Sequence, residues 1–98
     1  MSMRLRIVDA DGRRVAILDA EPPDDAPPEV REGFARRALV NGGGRCPCGA
    51  TWVMPSRAAR RAAAGRHQPA RVLIRHEPDC PAADEQLLAA IHRWKETR

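Results

Sequence analysis

The chain of 98 residues has no tyrosine, one phenylalanine, two tryptophans, and a single lysine beside sixteen arginines. A core drawn from a 43% hydrophobic content with so few aromatics is light, and small domains of this kind often rely on a disulfide, a metal or a partner subunit for stability. No run approaches the ~20 apolar residues that a bilayer-spanning helix requires, so no membrane contact of that kind is expected. The opening residues, MSMRLRIVDADG, alternate apolar and charged side chains and lack the apolar stretch of a secretory leader. The expected location is therefore cytoplasmic, where structural disulfides are rare and clustered cysteines more often hold metal. Cysteine itself is scarce: Cys46, Cys48 and Cys80 are the full set.

The most informative absence is that of carboxylates from the middle of the chain. Residues 44–76 contain seven arginines and no Asp or Glu, a local charge of +7, whereas residues 1–43 carry −1 and residues 77–98 carry −2. The overall +4 is thus concentrated in one third of the sequence. The preference for arginine over lysine suggests a GC-rich genome, so the arginine count says less than its distribution.

The remaining pattern predicts one α+β domain over residues 1–98, with an N-terminal part at 1–43 and a second part at 44–98. RLRIVDADGRRVAIL reads as a β-hairpin: Leu5 and Ile7 alternate with Arg4 and Arg6, Val15 and Ile17 repeat the period of two, and DADG supplies a turn in which Gly12 adopts positive φ. EPPDDAPP is a proline-rich acidic connector. Pro28 opens a helix through EVREGFARRALV, with Val30, Phe34 and Ala38 on one face and Asn41–Gly42 as its stop. TWVM is a short strand, and SRAARRAAAG is an alanine-rich helix capped by Ser56 and ended by Gly65. ARVLIRH is a further strand. A last helix has Asp79 or Cys80 near its N-cap, Pro81 in its first turn, and a buried stripe of Leu87, Leu88, Ile91 and Trp94.

Cys46 and Cys48 are separated only by Pro47. A disulfide between them would close a very small, strained ring and leave Cys80 over. Structural zinc takes four tetrahedral ligands, commonly three cysteines and one histidine. His76, in HEPDC, lies three residues ahead of Cys80 across the junction of the predicted strand and helix, so local geometry holds it near that thiol. The expected structural Zn²⁺ site is Cys46, Cys48, His76 and Cys80, with His67, Asp79 or an exogenous group as the alternatives for the fourth ligand.

The order of these parts, a glycine-followed knuckle, a strand, a returning strand and a helix opened by the last ligand, resembles a treble-clef zinc finger over residues 45–97. It differs in having C-x-C and H-x3-C where the usual pairs are C-x-x-C, and in carrying the SRAARRAAAG helix inside the hairpin. RCPCGA followed by HEPDCP also resembles short zinc-binding accessory proteins of actinobacteria and their bacteriophages. That resemblance implies a small accessory protein and no particular activity.

Catalysis is not expected. A catalytic zinc keeps three protein ligands and an open position, and here four are at hand. Zinc deaminases need a glutamate two residues after a histidine and a later P-C-x-x-C, whereas His76 is followed by Glu77 and Pro78 and the chain has no C-x-x-C. The histidine pair of an HNH-type nuclease is also lacking, and no small-molecule substrate is implied.

The arginines remain. Arg57, Arg60 and Arg61 stand at i, i+3 and i+4, one face of a helix otherwise made of alanine, and Arg66 and Arg71 extend the charge. Such a face is expected to contact the phosphate backbone of DNA or RNA. The alternative is an acidic protein surface, with the hairpin edge and acidic connector as further docking elements. In an accessory factor of phage type, host transcription machinery is a fitting class of target by analogy. Trp52 is the one aromatic nearby, so base stacking is poorly supplied.

Overall fold

In a computed structural model of the protein, residues 2–10 and 12–97 are described. The N-terminal strands β1 (Ser2–Ala10) and β2 (Arg13–Glu21) pair antiparallel, with Ala10 opposite Arg13. Two residues therefore connect them. Gly12 has φ +76°, the left-handed conformation that a two-residue hairpin turn needs, while the expected contribution of Asp11 lies outside the described residues. Helix α1 (Pro28–Asn41) follows the proline-rich connector. Then come β3 (Trp52–Val53), α2 (Arg57–Gly65), β4 (Leu73–Ile74) and α3 (Asp84–Glu96). β3 and β4 form a second antiparallel pair, Trp52 opposite Ile74. The architecture is a small α+β fold with two hairpin sheets and three helices.

The hairpin register divides the apolar residues between its two faces. Leu5 lies opposite Leu18 and Ile7 opposite Ala16, whereas Val15 and Ile17 lie opposite Val8 and Arg6. Side chains of paired residues share a face, so β2 turns Ile17 and Asp19 inward, and Met3, Leu5, Ile7 and Leu18 stand exposed at 58 to 66%. Asp19 is buried, accepts hydrogen bonds from Arg6 at 2.8 Å and from Asn41 Nδ2 at 2.8 Å, and so ties the hairpin to the end of α1. The Asn41 hydrogen bond, with Arg6 adding to it against the effect of burial, lowers its carboxyl pKa from the ordinary 3.8. This ion pair accordingly contributes stability above that range and loses it as pH falls through the lowered value.

α1 is the bar that joins two small cores. Val30 and Phe34 pack with Ala26, Leu87 and Ala90, while Val40 at the far end packs with Cys46, Ala50, Cys80 and Ala82. The expected face of α1 shifts: Ala38 is exposed, and Gly33 takes its place beside Val30 and Phe34 because the segment before α3 presses there. A Cβ on Gly33 would stand 2.6 Å from the Pro81 carbonyl oxygen and 2.9 Å from Leu87 Cδ1. α1 ends in a Schellman arrangement, with Gly43 (φ +90°) donating to Val40 O and Gly44 to Leu39 O.

Four other sequence expectations are corrected. α2 begins as expected, the Ser56 side chain accepting from Ala59 N–H at 3.1 Å, but Gly65 is its last residue and does not end it. The same Schellman pattern closes on His67, which has φ +55° and donates to Ala64 O while Gln68 donates to Ala63 O. α3 starts at Asp84 with Ala83 as its cap, not near Asp79 or Cys80, because two successive turns, Cys80 N–H to Glu77 O and Ala83 N–H to Cys80 O, occupy the preceding residues. Leu88 is exposed, and Ala90 replaces it in the stripe with Leu87, Ile91 and Trp94. The two short strands span two residues each, against the four and seven expected, since only Trp52–Val53 and Leu73–Ile74 come into register.

Gly33→Ala tests the contact between α1 and the segment after Cys80. Alanine favours a helix by ~1 kcal/mol over glycine, but overpacking against backbone costs about 1–3 kcal/mol. A net loss of roughly 1 kcal/mol or more is expected in denaturant unfolding, and a gain in stability would refute the close approach.

Candidate metal centre

Cys46 and Cys48 sit on a tight turn that their neighbours impose. Gly49 donates to Cys46 O at 2.8 Å and has φ +99°, a conformation that glycine enters without a steric penalty. Cys46 N–H closes the turn on Ala50 O at 3.0 Å. Pro47 fixes φ between the two thiols. His76 follows β4, two residues past Ile74, and Cys80 lies on the turns that precede α3. The β3–β4 pairing draws the two halves together across the 27 residues between Cys48 and His76.

The four ligand atoms lie within 4.8 Å of one another. Cys46 Sγ is 3.7 Å from Cys80 Sγ, Cys48 Sγ is 3.5 Å from His76 Nδ1, and Cys80 Sγ is 3.7 Å from His76 Nδ1. For a tetrahedral metal with metal–sulfur bonds of about 2.3 Å, the edge between two ligand atoms is about 3.8 Å. The measured separations fit such edges, and all three cysteines are free thiols rather than disulfides. The group can hold a metal ion, and its donor set is one that zinc takes.

Backbone donors surround the sulfurs in a repeated pattern. Each cysteine accepts from the N–H two residues later: Cys46 from Cys48, Cys48 from Ala50, and Cys80 from Ala82 at 3.5 Å. Cys48 also accepts from Glu77 N–H, which links the knuckle to the H-x3-C loop. These donors favour thiolate. The Cys48 pKa is lowered to about 6, first by the Glu77 N–H and then by Ala50, His76 and Cys46 against the opposing effect of burial. Cys46 moves the other way, raised chiefly by burial. Three thiolates around a divalent cation leave one net negative charge, and the Arg36 guanidinium, 3.6 Å from Cys80 Sγ and 2.7 Å from Glu32, stands beside it. Sequence reasoning missed Arg36. Its contact is forty-four positions away in the chain and depends on how α1 crosses the site.

Among the described residues, this is the group of metal-ligating side chains that converges. His67, in the turn after α2, and His92, on α3, are exposed and lie outside it, as does exposed Asp79.

The expected arginine face is present in outline. Arg57, Arg60 and Arg61 share α2, whose Ala63 is buried on the inner side. Arg57, Arg61, Arg66 and Arg71 are exposed and Arg60 is half-buried. The described ion pairs are Arg6–Asp19, Arg36–Glu32, Arg37–Asp84 and Arg93–Glu29, so none uses an arginine of residues 44–76. Arg13 and Arg14 of β2 come to the same side as Arg60 and Arg71. The segment charge of residues 1–43 conceals them, because eight carboxylates in the same segment average their charge away, Asp9 among them, which lies opposite Arg14 in the hairpin register.

Among the described residues, no helix is long and apolar enough to cross a membrane. Comparison with protein-family models, curated proteins and solved structures finds no match to this chain.

His76→Ala should weaken metal retention far more than His67→Ala or His92→Ala, read as bound metal per chain after dialysis. Equal loss at His67 would exclude His76 as the fourth ligand. His67→Gly, by relieving a left-handed residue that costs ~1 kcal/mol, should leave retention unchanged.

Proposed function

We propose that the protein is a small binding module, stapled by one structural Zn²⁺ at Cys46, Cys48, His76 and Cys80, that engages an anionic macromolecule through the arginine face of α2 and its surroundings. The order of knuckle, β3, β4 and α3 supports a treble-clef-like reading of residues 45–97, with α2 as the insertion. Four ligands, three of them held by i+2 N–H donors, support a closed ion that serves the fold and not a reaction. The core around them contains no side chain larger than Val40 that is fully buried. Burying a valine contributes about 1.5–3 kcal/mol, whereas a structural zinc in a small finger supplies about 10–16 kcal/mol. The metal therefore dominates that half of the fold.

The observation that carries the binding role is the lack of any ion pair for the arginines of residues 44–76 among the described residues. Of the acidic side chains in the flanking segments, Asp19, Glu32, Asp84 and Glu29 form the described ion pairs, with Arg6, Arg36, Arg37 and Arg93. Phosphate and carboxylate are the two biological anions that guanidinium forks match. Nucleic acid is the leading case on charge alone, since phosphate contacts release counterions. An acidic protein is the second reading, favoured by the open strand edge beside these arginines.

Removal of metal by a strong chelator should lower helicity and melting temperature together, and a fully folded, metal-free chain in native mass spectrometry would remove the structural role. Reversal of the exposed Arg57 and Arg61 to Glu should sharply weaken retention on heparin or DNA while metal content and melting temperature hold, since exposed changes shift stability by only ~0.5 kcal/mol each. For nucleic acid, each lost phosphate contact lowers the salt slope by about 1. Unchanged binding of every polyanion would make the arginines a solvated face.

A further inference from the structure

β2 has an open outer edge. β1 pairs with one side of it, and no hydrogen bond from the rest of the described chain reaches the backbone of residues 13–21 from the other. That edge forms one wall of a groove of about 630 Å³ whose lining includes every residue from 13 to 18, so the groove runs along the strand and does not merely touch one of its faces. The opposite wall is built from the metal-stapled part: Trp52, Met54, Arg60, Arg71, Val72 and Ile74. Four arginines, Arg13, Arg14, Arg60 and Arg71, line the groove, and no carboxylate does. None of the four has an ion pair or a side-chain hydrogen bond among the described residues.

We infer that this groove binds an extended acidic polypeptide segment of a partner protein, added to β2 as a third strand. The inference rests on the arginine face being a binding surface and names its partner. An exposed strand edge presents alternating N–H and C=O groups, which an extended peptide satisfies at every second residue and a phosphodiester backbone, having no donors, does not. The middle of the edge, Val15, Ala16, Ile17 and Leu18, carries no charge, so nothing there blunts strand addition, while Ile17, Trp52 and Ile74 offer apolar ground for alternate side chains. The charge lies at the Arg13–Arg14 end, where the partner's carboxylates belong. Six paired residues span about 20 Å. The chain's own acidic connector is unsuited to fill the groove from a second copy, because Pro22, Pro23, Pro27 and Pro28 remove the donors that pairing needs.

The test uses the metal-loaded chain and a fluorescein-labelled peptide of alternating valine and threonine ending in three glutamates. Companion probes are the same peptide ending in three lysines, two versions N-methylated at one or the other set of alternate amides, and a labelled single-stranded oligonucleotide. The glutamate peptide should bind by fluorescence anisotropy, the lysine peptide should not, and one N-methylated version alone should lose binding. Arg13→Glu with Arg14→Glu should weaken binding of the glutamate peptide at least tenfold, a change of about 1.4 kcal/mol, at unchanged metal content and circular dichroism. Equal binding of both N-methylated peptides, with competition by the oligonucleotide, would overturn strand addition and leave the phosphate reading standing. Failure of every peptide and of the oligonucleotide to bind would remove both. Concentration-dependent self-association that excludes the peptide would assign the groove to a second copy and overturn the partner.

Discussion

Everything in the second half of the protein depends on bringing three sulfurs and one imidazole nitrogen within 4.8 Å of each other. The residues that do so are short-range devices: a proline-spaced knuckle closed by Gly49, a two-residue β pairing, and two turns ahead of α3. None of these is stable alone, since isolated two-stranded pairs are marginal in water. A metal held by all four would satisfy them together, and its binding energy would then be folding energy. The backbone N–H donors around each cysteine fit this reading. They favour thiolate at positions where burial alone would favour the neutral thiol, as the opposite displacements of Cys48 and Cys46 illustrate.

α1 transmits that constraint to the N-terminal half. Its start packs in the Phe34–Leu87 core and its end in the cysteine core, while Gly33 admits the Pro81 carbonyl and Arg36 reaches Cys80 Sγ. The ion pairs reinforce the same frame: Arg37 with Asp84 and Arg93 with Glu29 join α1 to α3, and Arg6 with Asp19 holds the hairpin strands together beside Asn41. The printed pairs tie the elements of the fold together, while Arg13, Arg14, Arg60 and Arg71 line one groove without an ion pair among the described residues.

The groove between β2 and the metal-stapled part follows from both features. Without the metal, the wall carrying Trp52, Arg60 and Arg71 would have no fixed position opposite the strand edge. On the proposed reading, binding at the groove would be coupled to metal occupancy through packing, although no candidate ligand lines it.

By itself the sequence determined the element order, the hairpin turn at Gly12, the Ser56 cap, and the four-residue group Cys46, Cys48, His76 and Cys80. Each of these rests on local chemistry: positive φ at glycine, a side chain within reach of a nearby N–H, or ligands held by short spacings. The tertiary structure decided what depends on distant neighbours. Gly33 enters the core and Ala38 leaves it because Pro81 presses on α1, and α3 starts late because ligand turns occupy residues 77–83. His67, not Gly65, takes the left-handed position, since the helix bonds of α2 extend two residues further than composition suggests. The placement of Arg13 and Arg14 beside Arg60 and Arg71 was also invisible in segment charges, because which like charges face one another is set by how two hairpins pack and not by their order along the chain.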